Sequence, residues 1–129
     1  PMSAILIGLM AGLLCYLAVA VIKGKLGYDD SLDAFGVHGV GGIFGTFAVG
    51  LFAQAAVNEN GADGLLFGGV QQFAVQGLLV VVAIVFAAAM TFILYKLVDT
   101  IIGMRVDEKH EIVGLDLTQQ SESAYTVIE

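Results

Sequence analysis

The sequence predicts an all-α membrane protein: three transmembrane helices followed by a polar tail. Composition is the first reason. Of 129 residues, 58% are hydrophobic and 13% charged, whereas soluble domains carry roughly 25% charged residues and about 45–50% apolar ones even with glycine counted. A mean hydropathy of +0.91 points the same way. Segregation of charge is the second reason: residues 2–22, 34–58 and 64–95 contain no Asp, Glu, Lys or Arg. Length is the third, because about 20 apolar residues, each rising about 1.5 Å, cross a bilayer core as a helix. This pattern excludes disorder and disfavours a soluble single domain.

The first span is expected at about residues 2–22. A secretory signal peptide is the competing reading, but Pro1-Met2-Ser3 supplies no basic leader and the apolar run is too long for one. The opening at Pro1 rather than Met suggests a cropped or processed chain. Cys15 lies inside this span and is the single cysteine, so no intramolecular disulfide or cysteine metal site is expected. It reads as a small buried hydrophobe.

The second span is expected at about residues 34–56 and is rich in glycine. Gly36, Gly39, Gly41, Gly42 and Gly45 would cost an isolated soluble helix roughly 1 kcal/mol each. In a membrane bundle, small residues let backbones approach closely. The pairs Gly41/Gly45, Thr46/Gly50 and, in the first span, Gly8/Gly12 are therefore read as packing stripes. No G-x-G-x-x-G or phosphate-loop pattern is present. Asp29, Asp30, Ser31 and Asp33 stand just before the span and read as helix capping, with carboxylates at a positive helix start. A cation-attracting mouth is a compatible second role.

The third span is expected at about residues 65–96. The uncharged run 64–95 would reach roughly 48 Å if wholly helical, so it must tilt or project beyond the lipid. Gln71, Gln72 and Gln76 place its start at an interface or inside a larger protein. Residues 103–129 form a polar tail, with Ile112, Val113, Leu115 and Tyr125 spaced so that they can pack on a partner.

Orientation follows from the basic residues. Lys23 and Lys25 follow the first span; Lys96, Arg105 and Lys109 follow the third; the connector between the second and third spans has none. The positive-inside rule puts the 23–33 connector and the tail in the cytoplasm, with the amino end outside. The net charge of -7 implies no cationic partner, because the acids crowd into the connectors and tail. The five basic residues form no stripe, so nucleic acid is disfavoured.

His38 stands apart. It lies five residues after Asp33 in an otherwise apolar span, and ionisable groups at membrane depth mark polar pathways by default. A neutral imidazole has one donor and one acceptor and titrates near neutrality, so it can orient a small polar solute or relay a proton. A packing histidine bonded to a backbone carbonyl is the bland alternative. No metal site is expected, since the other histidine, His110, is in the tail.

The run Asp33-Ala34-Phe35-Gly36-Val37-His38-Gly39-Val40-Gly41-Gly42 resembles the penultimate transmembrane helix of the ammonium transporter (Amt/Mep/Rh) family. Gly103-Met104-Arg105-Val106, Glu111, Gly114-Leu115-Asp116 and Glu122-Ser123-Ala124-Tyr125 resemble the cytoplasmic tail of its bacterial members. The resemblance covers essentially the whole chain. It implies the last three transmembrane helices of an eleven-helix fold, residues 1–102, plus a regulatory tail, residues 103–129. It further implies that His38 is one member of a pore-lining histidine pair and that Asp33 matters structurally at the helix start. Arg105, Gly114, Asp116, Glu122 and Tyr125 are the tail positions it marks. A homotrimer in the cell (inner) membrane, ammonium or ammonia as substrate, and a PII-type signal protein on the tail are also implied. The tail departs from the family pattern at Gln120-Ser121, where relatives often have His-Gly.

Two other functions are weighed. A three-span structural or assembly subunit would use the glycine stripes for packing and His38 as a satisfied core residue. A membrane enzyme is least favoured, since no Ser/His/Asp set, paired intramembrane carboxylates or metal-ligand cluster appears in the spans, and no cofactor is expected.

Overall fold

The computed structural model describes residues 2–123, and among them every regular element is helical. Three helices are long and apolar enough to cross a membrane: α1 (Met2–Leu26), α2 (Phe35–Phe52) and α3 (Val70–Ile102). Two short helices follow in the tail, α4 (Glu108–Val113) and α5 (Leu115–Thr118).

The helix ends differ from the spans read off the sequence, and each difference has a local cause. α1 runs past residue 22 because Lys23 and Lys25 are good helix formers. It stops at Gly27, whose φ of 64° puts it in the left-handed region that ends helices. α2 stops at Phe52 rather than near 56. Ala53 turns to an extended conformation, and its carbonyl accepts from Gly64 N at 2.8 Å, folding the connector back. The residues from 65 form a separate turn, Leu65–Phe67, cut off from α3 by Gly68 at φ 90°. α3 then continues beyond 96 until Gly103, at φ 73°, ends it. Asp99 closes that end, its carboxylate accepting from Met104 N at 3.1 Å.

Two compact units divide within α3, Pro1–Val85 and Phe86–Glu129. In the first, α1 packs against α2, and Ala18 and Ala48 are buried. A Cβ built on Gly36 would lie 2.6 Å from Val19 Cγ2, and one on Gly41 would lie 3.1 Å from Cys15 Sγ. These two glycines let the helices cross closely, as small residues do in membrane bundles. Further along, Gly50 packs against Phe73 and Gln76, and the Phe47 and Phe73 rings lie 5.7 Å apart. Gly8, Gly12, Gly42 and Gly45 instead have nothing within 4 Å of a would-be Cβ. The Gly8/Gly12 stripe and half of the Gly41/Gly45 stripe are thus open among the described residues.

Both α1 and α2 contain a wide turn with i→i+5 character, Ala18–Lys23 and Phe35–Gly39 respectively. These wide turns abut at Val19 and Gly36. The sequence carries no periodic sign of them. No more than 17% of the most apolar window of any span is buried. The spans therefore present their apolar side chains outward, the arrangement expected of helices surrounded by lipid or by other helices.

Candidate functional site

The start of α2 is assembled by the connector that precedes it. A helix leaves its first amides without intrahelical partners, and a carboxylate just upstream can take them. Here the carboxylate is that of Asp30. It accepts from the amides of Ala34 at 2.8 Å, Phe35 at 3.0 Å and Gly36 at 3.4 Å. The next amide, of Val37, donates to the Asp33 carbonyl at 2.9 Å. The four amides from Ala34 to Val37 thus all have acceptors.

Asp33 sits at the helix start with φ 56°, a left-handed conformation unusual for a residue with a side chain. Its carboxylate points back to α1 and accepts from Lys23 Nζ at 2.6 Å. Lys23 Nζ also donates to the Asp30 carbonyl. The acidic cluster before α2 thus divides its work: Asp30 caps the helix through its side chain, and Asp33 ties the helix start to the end of α1. Ser31 Oγ donates to Asp29 at 3.4 Å, away from the helix amides. Tyr28 packs edge-on against Phe35, with ring centroids 5.9 Å apart. Its hydroxyl is buried with no hydrogen-bond partner among the described residues.

His38 lies within the wide turn of α2, one residue beyond the Val37 amide held by Asp33. Its side chain is exposed. It is the only histidine of the first unit, so no second imidazole of that unit faces it. Gly36, two residues before it, is buried against Val19, and Gly39, one residue after it, lies under the Phe35 ring. The imidazole is thus carried on a turn that packs against α1 at Gly36 and against its own Phe35 ring at Gly39.

The tail residues are brought together locally in the second unit. Arg105 makes a two-pronged pair with Glu111, Nε to Oε1 at 3.0 Å and Nη2 to Oε2 at 3.1 Å. Gly114 has φ 110°, and a Cβ there would lie 2.6 Å from Asp116 Oδ1. The Gly114 carbonyl accepts from Thr118 Oγ1 at 2.8 Å, and the Asp116 carbonyl accepts from Glu122 N at 2.9 Å. Arg105, Gly114, Asp116 and Glu122 therefore belong to one small folded segment. Tyr125 lies outside the described residues.

Sequence reasoning singled out His38, Asp33 and the acidic cluster, but it read Lys23 only as a topology signal and passed over Tyr28 and Val19. No spacing rule links a lysine at one helix end to an aspartate ten residues on. A basic residue closing one span and an acid opening the next was the only available clue.

Known proteins agree on what this chain is similar to. A family profile described as the Ammonium Transporter Family matches residues 1–125. An ammonium transporter of Bacillus subtilis is 43% identical over 125 residues, covering 97% of this chain and 31% of the relative. The ammonium transporter Amt1 of Archaeoglobus fulgidus is 48% identical over 125 residues, covering 96% and 31%. Ammonium transporter 1 of Dictyostelium discoideum is 44% identical over 119 residues, covering 92% and 26%. The chain spans less than a third of the length of these relatives.

Proposed function

The chain belongs to the ammonium transporter family, and from that premise we propose that it supplies three helices of a channel-like ammonium transporter in which His38 handles the substrate. The family is one of transporters, not of enzymes, and α1, α2 and α3 make the chain a multi-pass membrane segment. The observation that supports a role for His38 is its place: the lone histidine of the spans, exposed on a wide turn whose Gly36 packs closely against α1.

Physical chemistry gives the mechanism its direction. An alkylammonium has a pKa near 10.4 in water, and burial lowers such a value by several units because the charged form loses its hydration. A narrow apolar passage therefore favours loss of a proton before the nitrogen crosses the core. The His38 imidazole, with one donor and one acceptor, receives the neutral amine by hydrogen bonding and passes the proton along a separate path. One imidazole does not complete such a path. A second histidine, the pore entrance and the remaining wall belong to other helices of the transporter.

The finer assignments complete the reading. The 23–33 segment and the tail are cytoplasmic, the side that basic residues favour. The transporter assembles as a homotrimer in the cell (inner) membrane, and the folded segment built on Arg105, Gly114, Asp116 and Glu122 is the docking point for a PII-type signal protein. Asp33 serves the helix start structurally. Uptake of ammonium or methylammonium by the intact transporter carrying this segment tests the central role. His38→Ala and His38→Asp are each expected to lower flux by about an order of magnitude, a barrier increment near 1.4 kcal/mol, or to relax discrimination against potassium. Native flux and native selectivity in both variants would remove His38 from the path.

A further inference from the structure

We propose that Lys23, at the end of α1, is a positioning residue for His38. The connection is a short chain of contacts. Lys23 Nζ donates to the Asp33 carboxylate at 2.6 Å and to the Asp30 carbonyl. Asp30 in turn holds the amides of Ala34, Phe35 and Gly36, and the Asp33 carbonyl holds that of Val37. His38 is the next residue. Every hydrogen bond that sets the first turn of α2 therefore comes from a residue that Lys23 contacts.

The geometry gives Lys23 more to do than an ordinary ion pair. An exposed ion pair contributes little stability, whereas this one also bears on the shape of the helix start. Asp33 holds φ 56°, a left-handed conformation that aspartate tolerates better than most residues with a side chain but that still gains from a constraint in its surroundings. Lys23 supplies that constraint, with Asp33 and Lys23 side chains only 36% and 28% exposed. Gly36 presses on Val19, four residues before Lys23 on the same helix, so the two wide turns have little room to slide. Lys23 and Val19 together fix the start of α2 against α1 and thereby aim the imidazole.

The inference rests on His38 being the substrate-path residue, and the experiment separates the two. Methylammonium uptake by the intact transporter is measured for Lys23→Met, Lys23→Arg, Asp33→Asn and His38→Ala, with rates normalised to folded protein in the membrane. Lys23→Met and Asp33→Asn are expected to lower the maximal rate about tenfold, since a misplacement of about 1 Å can cost on the order of 100-fold. The half-saturation concentration should stay within about twofold, because an imidazole acting after entry sets turnover rather than binding. Lys23→Arg, which keeps the charge and reaches the same carboxylate, should restore most of the rate. Lys23→Met at full rate, or Lys23→Arg as impaired as Lys23→Met, overturns the inference. Should Lys23→Met not accumulate, Asp33→Asn, which removes the charge of the same pair, stands in for it, and a full rate there overturns the inference. Native flux in His38→Ala sinks the underlying role instead, whatever the Lys23 variants do.

Discussion

Val19 and Gly36 set the closest approach between α1 and α2, and that contact decides how much the site tolerates. A methyl group at Gly36 would sit 2.6 Å from Val19 Cγ2, a distance at which something must shift. Gly36→Ala should therefore destabilise the transporter by about 1–3 kcal/mol, the usual penalty of overpacking. Val19→Ala in the same protein should recover most of that loss. Thermal unfolding of the solubilised protein measures both, and an undiminished melting temperature in Gly36→Ala would mean that the helices do not meet at this point. Ser121 shows the converse case. It adopts φ 55°, a conformation that favours glycine. The glycine-rich run was legible as packing material, but which glycine meets which neighbour was not. That depends on the crossing point of two helices, which no spacing within one helix encodes.

At the scale of the element, the start of α2 depends on one carboxylate. Asp30 takes three first-turn amides, and an anionic cap also suits the positive end of the helix dipole. Asp30→Ala should cost about 0.5–2 kcal/mol. The loss should appear locally, as faster hydrogen exchange at the amides of Ala34, Phe35 and Gly36 with α1 left protected. Uniform loss of protection across α1 and α2 would instead show that the cap supports the whole helix pair. The sequence marked this cluster as capping yet did not divide the labour within it. Asp29, Asp30 and Asp33 are chemically alike, and only the path of the connector gives the amides to one and Lys23 to another. The wide turns were invisible for a related reason: a change from i→i+4 to i→i+5 bonding leaves the apolar composition untouched. The tail shows the same limit, since its polar composition does not tell that Arg105 meets Glu111.

For the whole molecule, the deciding quantity is how little of it is inside. Ala18, Ala48 and Val80 are the buried apolar residues among those described. Gly8, Gly12, Gly42 and Gly45 present open surface where membrane helices ordinarily meet. With less than a third of the length of its relatives, this segment is expected to need further helices to enclose a passage. Reconstituted alone in liposomes, residues 1–129 should give no selective ammonium uptake. Saturable uptake that discriminates against potassium would show instead that these helices form a pathway by themselves.

Sequence by itself determined the class of this protein: a membrane segment of three spans, with one histidine among them and charge confined to connectors and tail. Hydrophobicity and helical length are summed along the chain, so composition and run length suffice to read them. Tertiary structure decided where each helix ends, which acid caps and which pairs, and that Lys23 reaches the start of α2. Those outcomes turn on distances between residues remote in sequence, where a few tenths of an ångström separate contact from clash.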